Sequence, residues 1–202
     1  MIQLIEEVKS GHYAVRWNIK PIYENNEIIK YSYEEHIFDY IPNIKDIQSI
    51  ITEYFNKQTD LYIKYGFKWN ERQVYLSDEN KFNFKAIIDE AARVETAIKI
   101  WDDNNPELAG INYTTTEGEN AAGDKVEMHI PTGRPTSLLP ITLKLGIDNI
   151  PENFYVFNKL EELQDFFNLG VQHLINAYAK GWGQIATFDY APYESILAEI
   201  KN

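Results

Sequence analysis

Residues 69–91 read WNERQVYLSDENKFNFKAIIDEA, and the change of period inside this stretch decides the fold. GFKW and RQVYL flank Asn70-Glu71, a two-residue spacing that predicts a short β-hairpin. From Ser77 onward the period becomes helical. Phe84, Ile87, Ile88, Ala91, Val94 and Ile98 fall on one face. Ser77 stands where a hydroxyl oxygen accepts a bond from an otherwise unpaired backbone N–H of the first turn. Asp78 and Glu79 follow in that turn, where the helix dipole favours negative charge. The hydroxyl beside two carboxylates thus has a structural account. A nucleophilic serine needs a nearby base and an oxyanion pocket, and no such arrangement is legible. Hairpin, then capped amphipathic helix, is the unit from which the rest is read.

The C-terminal part repeats that plan without repeating its sequence. PITLKLG (140–146) and NFYVF (153–157) read as strands joined by IDNIPE. Asn158 with Glu161 three residues on predicts a capping box. Leu160, Leu163, Phe167, Val171, Leu174 and Tyr178 form the stripe of the helix that follows. Gly181 is expected to stop it, GWGQIATF to act as linker, and APYESILAEI to form a last short helix. Between the two parts WDDNNPELAG is polar and turn-forming. INYTTT and KVEMHI alternate around GENAAGD, which predicts an exposed hairpin arm, and PTGRPTS follows as a loop.

Towards the N-terminus, HYAVRWNIKPIY (12–23) and IIKYSYEEHIFDY (28–40) predict a hairpin turning at Asn25-Asn26, since asparagine tolerates φ > 0. A helix is expected next, capped by Asn43, with Asp46 in its first turn and Gly66 at its end. Ile44, Ile47, Ile51, Tyr54, Leu61 and Tyr65 share its apolar face, to be covered by the chain's own hairpin or by a partner. The expected fold class is α+β, β-hairpins each followed by amphipathic helices, with an inserted hairpin arm. The expected division is residues 1–66, a hairpin plus helix for attachment or oligomerisation, and residues 67–202, an α+β domain with an insertion at 101–137. No repeat of solenoid period occurs.

The chain has 202 residues, a net charge of −12, no cysteine and 14 tyrosines. The charge disfavours nucleic acid and anionic lipid, whose affinity comes from phosphate neutralisation. The missing cysteines exclude disulfides, thiolate catalysis and Cys-zinc sites. No window approaches the roughly 18 apolar residues of a membrane span, and MIQLIEEVKS lacks the basic start and long apolar run of a signal peptide. A chain made and kept in a cytoplasm, or released from one by lysis, is the expectation.

Candidate chemistry is sparse. His12, His36, His129 and His173 lie far apart and form no HExxH pair. Asp102-Asp103-Asn104-Asn105 with Glu107 is the best candidate for an oxygen-ligated cation, but Pro106 stands where a calcium loop needs a ligand, and the loop glycine and distal glutamate are missing. A solvated turn is the expectation there. The acid pairs Glu6-Glu7, Glu34-Glu35 and Glu161-Glu162 are adjacent only in sequence, whereas glycosidase carboxylates converge across a cleft. Trp17, Trp69, Trp101 and Trp182 pack in cores and seams or, if exposed and coplanar, offer a sugar platform; Trp182 is expected to wedge between the last two helices. No catalytic, cofactor-binding or metal-binding residue is assigned.

From Trp69 to the C-terminus the chain resembles a domain of bacteriophage structural, fibre-associated proteins, especially of crAss-like phages of gut Bacteroidales. The residues that carry the likeness are Trp69, VYLSDENKFNFKA (74–86), LPITLKLG (139–146), FYVFNKLEELQDFF (154–167), His173 and AKGW (179–182). The segment 101–137 departs from that pattern and residues 1–66 lie outside it. The resemblance implies a non-enzymatic virion protein of a head or tail fibre, made in the host cytoplasm. It would bind itself, as a homodimer, and other phage structural proteins such as capsid, fibre or tail. It implies no catalytic residue. A fibre-assembly chaperone absent from the mature virion and a receptor- or glycan-binding module are the alternatives.

Overall fold

The computed structural model describes residues 2–200. The fold is α+β; the described residues form antiparallel strand pairings, four α-helices and two short 3-10 turns. The chain forms two compact units. Residues up to Tyr62 and from Ile175 onward make the first; Ile63–Leu174 make the second.

In the first unit, strands β1 (Ile5–Lys9), β2 (His12–Glu24) and β3 (Glu27–Phe38) form a sheet in that order, all antiparallel. Asn25 and Asn26 both take positive φ, 50° and 67°, as a tight two-residue hairpin turn requires. The expected hairpin therefore forms, but β1 beside it was not expected. Helix α1 (Ile44–Tyr65) starts at the predicted cap, where the Asn43 side-chain oxygen accepts from the Lys45 and Asp46 amides at 2.8 and 3.2 Å. Ile5, Val15, Trp17 and Phe38 of the sheet, Ile47 and Ile51 of α1, and Tyr193 and Leu197 of α4 (Ala191–Ile200) form one buried core. The predicted face of α1 thus packs inside its own chain from Ile44 to Tyr54, whereas Leu61 and Tyr65 are exposed and Ile63 is buried instead.

The structure corrects the expected extent of the C-terminal part. Residues 175–200 belong with the N-terminal sheet, not with residues 67–174. The reason is a buried contact no local pattern announces: Tyr193 donates its hydroxyl to the Arg16 carbonyl at 2.8 Å. Helix α3 (Leu160–Ala186) also runs straight through Gly181, the expected stop, and takes in most of the expected linker. Gly181 serves close approach instead. A Cβ there would lie 2.1 Å from the Thr59 hydroxyl oxygen of α1.

The second unit holds the stretch that opened the reading. Strands β4 (Lys68–Trp69) and β5 (Arg72–Gln73) pair across Asn70 and Glu71, both at positive φ. The Ser77 hydroxyl accepts from the Asn80 amide at 3.1 Å and caps helix α2 (Asp78–Asn104). Phe84, Ile88, Ala91, Val94 and Ile98 are buried as the stripe predicts. Strands β8 (Ile141–Lys144) and β9 (Phe154–Phe157) form the later hairpin. Tyr75 N–H donates to the Leu145 carbonyl at 2.7 Å and joins the two hairpin regions. Trp69, Phe84, Phe157 and Phe166 pack ring against ring at the centre, with centroids 5.2–5.9 Å apart for the pairs in contact. The stripe of α3 begins as expected, with Leu163 fully buried and Leu160 packed against the core, and moves one residue off at the next position. Phe166 is fully buried, Phe167 only partly, and Val171 and Tyr178 are exposed. At the start of α3, Glu162 rather than Glu161 returns to the Asn158 amide, at 3.4 Å.

Candidate interaction surface

Two antiparallel ribbons extend apolar side chains into solvent, and each is held at its base by a specific polar cluster. The first is the β2–β3 ribbon. At its base Arg16 is buried. Its guanidinium donates to Glu6 at 2.5 Å and Glu35 at 2.7 Å and lies 5.3 Å from the Tyr33 ring. Burial works against the Arg16 charge, but the bonds to the two carboxylates outweigh it, and its pKa is raised. On the α1 side, Asn18 donates to the Tyr54 hydroxyl at 3.1 Å, and that hydroxyl donates to Glu34 at 3.4 Å. Burial, with Glu34 beside it, raises the Tyr54 pKa.

Asn18 itself has φ +53° and sits in an irregularity where Trp17 pairs Glu34 but Lys20 pairs Ser32. Two residues of β2 there face one of β3, a bulge that bends and twists the ribbon. Beyond it the ribbon has no helix-covered core face. Tyr23 is 60% exposed and Ile29 53%, and Ile28, Tyr31 and Tyr33 are also exposed. Isolated two-stranded ribbons are marginal in water, and single exposed apolar residues are ordinary. A row of them on a long ribbon makes a candidate contact surface.

The second ribbon is the arm, β6 (Tyr113–Glu119) with β7 (Lys125–Pro131). Nearly all its residues are exposed, among them Tyr113, Met128 and Ile130. Its base corrects one expectation. Asp102, Asp103 and Asn104 are not in a solvated turn but end α2, while Asn105 caps it and Glu107 lies in a short 3-10 turn beyond; Asp102 is the anchor of the arm. Arg134 grips it with Nε at 2.7 Å and Nη2 at 2.9 Å, and donates through Nη1 to Asn112 at 3.1 Å. The Gly110 amide adds a fourth bond, at 3.2 Å to Asp102. The Arg134 bond is the main reason the Asp102 pKa lies below the ordinary carboxylate value. Asp103 is paired with Lys99 at 2.7 Å. Among the described residues no three acidic or histidine side chains gather as a metal site.

The other candidates are dispersed. Glu6 and Glu35 hold Arg16, the Glu7 carboxylate accepts from the Gly11 amide at 2.9 Å, and Glu162 accepts from the Tyr155 hydroxyl. His36 packs 4.6 Å from Phe38 and His173 6.2 Å from Phe67. Trp17 and Trp69 are buried in separate cores. Trp182 is no wedge: it is 66% exposed and stacks on Tyr178 at 5.7 Å and 24°. Two concave features accompany the ribbons. A cavity of about 250 Å³ in the first unit is lined by Asn18, Lys20, Tyr54, Gln58 and Lys180 and by no carboxylate. An apolar groove of about 250 Å³ in the second is lined by Phe67, Phe84, Phe166, Phe167 and Leu174.

Sequence reasoning found the arm, from alternation around GENAAGD. It missed the Arg134–Asp102 clamp and the Arg16 cluster, which join residues far apart in the chain. Comparison with protein-family models, with curated proteins and with solved structures finds no match. No helix of the described residues is long and apolar enough to cross a membrane.

Proposed function

We propose that this chain is a non-enzymatic bacteriophage virion protein, a head-fibre or tail-fibre-associated component that works through protein–protein contacts. The observation that carries the proposal is the pair of clamped ribbons with exposed apolar side chains. The ionisable groups at their bases are engaged in holding the ribbons: Arg16 with Glu6 and Glu35, Arg134 with Asp102. Association needs such surfaces and their rigid support, because ordering a mobile segment on binding costs affinity. The likeness of residues 69 onward to phage structural proteins supplies the setting, a virion assembled in a bacterial cytoplasm. The partners are further copies of the chain and other structural proteins of the particle.

Mass spectrometry of gradient-purified particles tests this, with the chain expected at structural copy number. A chain abundant in infected-cell lysate but missing from particles would instead be an assembly chaperone. One observation favours a second reading, a glycan-binding module: Tyr178 and Trp182 are both exposed and stack with their ring planes 24° apart, which offers aromatic surface to a sugar ring. Glycan-array binding that is lost in Trp182→Ala would establish it.

A further inference from the structure

The outer edge of β3 carries a pattern that its own sheet does not use. The sheet order is β1-β2-β3, so β3 is bonded on one side and its other edge is unpaired among the described strands. Ile22 pairs Lys30 and Tyr23 pairs Ile28, so Ile29 bulges out of register. From Lys30 to Phe38 the strand is regular and has no insertion of its own. Such an edge is a template for another strand unless charge blocks it. Lys30, Glu34 and Glu35 are the charges on it. Glu35 is held in an ion pair by Arg16 at 2.7 Å, whereas Glu34 accepts only a longer bond from the neutral Tyr54 hydroxyl at 3.4 Å, so Lys30 and Glu34 carry the charges without an ionic partner that decide what the edge accepts.

We infer that this edge pairs with the same edge of a second copy of the chain, antiparallel, about a two-fold axis through Ser32. The inference rests on the protein–protein role proposed above and names the partner of that ribbon. Residues directly opposite in an antiparallel pair share a face of the sheet, and successive side chains alternate faces. A two-fold axis normal to the sheet must therefore pass through a residue, not between two. With Ser32 on the axis, Lys30 of each copy meets Glu34 of the other, so two ion pairs form on one face. Tyr31 of each meets Tyr33 of the other, so two aromatic pairs form on the opposite face. Cross-strand pairs of these two kinds are favourable, and like charges directly opposite are not. An axis at Tyr33 sets Glu34 against Ser32 and Tyr31 against Glu35. An axis at Glu34 sets two carboxylates face to face. Only the Ser32 register among these matches both charges, and it covers the exposed Tyr31 and Tyr33 as well. An interface that repeats one patch on both subunits is what closed two-fold symmetry requires.

The pattern sets its own test. Lys30→Glu places two acidic pairs in a homodimer and Glu34→Lys two basic ones, so each variant alone is expected to sediment as a monomer while the wild type forms a dimer. Mixed in equal amounts, the two variants restore both opposite-charge pairs, and native mass spectrometry is expected to show the mixed dimer. Because the chain has no cysteine, Ser32→Cys adds a second readout. Opposed Cα atoms in such a pair lie about 4.5–5.5 Å apart, within the roughly 4.4–6.8 Å reach of a disulfide. Mild oxidation should thus convert Ser32→Cys to covalent dimer far faster than Gln164→Cys on the exposed side of α3. The cysteine variant keeps the test decisive if Glu34→Lys disturbs Tyr54 and lowers folding. A wild type that stays monomeric at its solubility limit, single charge variants that still dimerise alone, or Ser32→Cys that cross-links no faster than Gln164→Cys each overturn the pairing. The particle test reads separately. A monomer found in virions overturns the pairing and leaves the structural role; a dimer never found in any particle does the reverse.

Discussion

Gly66 is where one added methyl group separates backbone strain from steric contact. It follows the last residue of α1 at φ +66°, and its N–H bonds the Ile63 carbonyl at 2.9 Å, the left-handed termination that glycine favours. A Cβ at this position would lie 1.9 Å from the Val74 carbonyl oxygen and 3.0 Å from its carbon. Both are backbone atoms and cannot rotate away. Val74 is fully buried, its N–H bonds the Phe67 carbonyl at 2.8 Å, and the Leu76 N–H bonds the Lys64 carbonyl at 3.0 Å. Relieving the contact means moving that segment by about 1 Å and stretching both bonds, each worth about 1 kcal/mol. The left-handed conformation costs an L-residue about 1–2 kcal/mol in addition. Gly66→Ala is therefore expected to lose roughly 3–4 kcal/mol. Gly133, in the same unit, has φ +85° with nothing within 4 Å of its Cβ position. Gly133→Ala bears the conformational cost alone, about 1–2 kcal/mol. With a urea slope near 2 kcal/mol/M, the two midpoints fall by about 1.5–2 M and about 0.5–1 M. Asparagine tolerates left-handed φ, so Gly133→Asn should recover most of the loss and Gly66→Asn should not. Equal midpoints for the two alanine variants, or recovery by Gly66→Asn, would refute the claim that contact with Val74 dominates.

Phe166→Ala removes the ring shared by Trp69, Phe84 and Phe157 and should cost about 3–5 kcal/mol by urea unfolding; Phe167→Ala, one residue on and only partly buried, should cost clearly less. Tyr193→Phe strips the hydroxyl from a buried bond to the Arg16 carbonyl, for a loss of about 1–2 kcal/mol read in the same way. The Asp102 carboxylate has a depressed folded pKa, so its stabilisation of the arm is full above the unfolded aspartate value of about 3.9 and disappears as pH falls through the lower folded value. The Gly110 amide resonance, followed by NMR from neutral to acidic pH, should therefore titrate below the ordinary aspartate range, and Arg134→Gln should move that midpoint upward. Replacing residues 113–131 by a short glycine-rich link removes mostly exposed side chains, so Tm should move by no more than about 2–4 °C, while incorporation into particles falls if the arm is an assembly contact.

The element boundaries set by Ser77, Asn43, Asn25-Asn26 and Asn70-Glu71 were legible in the sequence. Ser77 and Asn43 cap because a short oxygen-bearing side chain reaches amides two or three residues on. Asn25-Asn26 and Asn70-Glu71 turn because their backbones enter positive φ. These are interactions within a few residues, and local sequence contains both partners. The errors have the opposite character. Gly181 lowers helix propensity by about 1 kcal/mol, and that local cost predicted a stop. The close packing on Thr59 that offsets it lies more than a hundred residues away. β1 offered one buried apolar residue, Ile5, and is stabilised as a strand by its ladder to β2. Trp182 was expected to wedge between the last two helices, and its exposure follows from the side of α3 on which it falls.

The same distinction separates what could be anticipated of the candidate surface from what could not. The arm was visible because strand alternation and turn composition are local. Its anchor was misread as a solvated acidic turn because Asp102 and Arg134 are 32 positions apart, and an aspartate in sequence does not disclose which cation it meets. The β2–β3 ribbon is the mixed case. Its strands and turn are local, and so is the order of charges along β3. Lys30-Tyr31-Ser32-Tyr33-Glu34 is symmetric about Ser32 in its tyrosines and antisymmetric in its charges, which is the pattern a strand needs to match its own reversed copy. That pattern acquires physical meaning only once the sheet order leaves this edge unpaired. The proposed self-pairing thus rests on five consecutive residues, and it comes into view only after the fold has determined which side of them remains open.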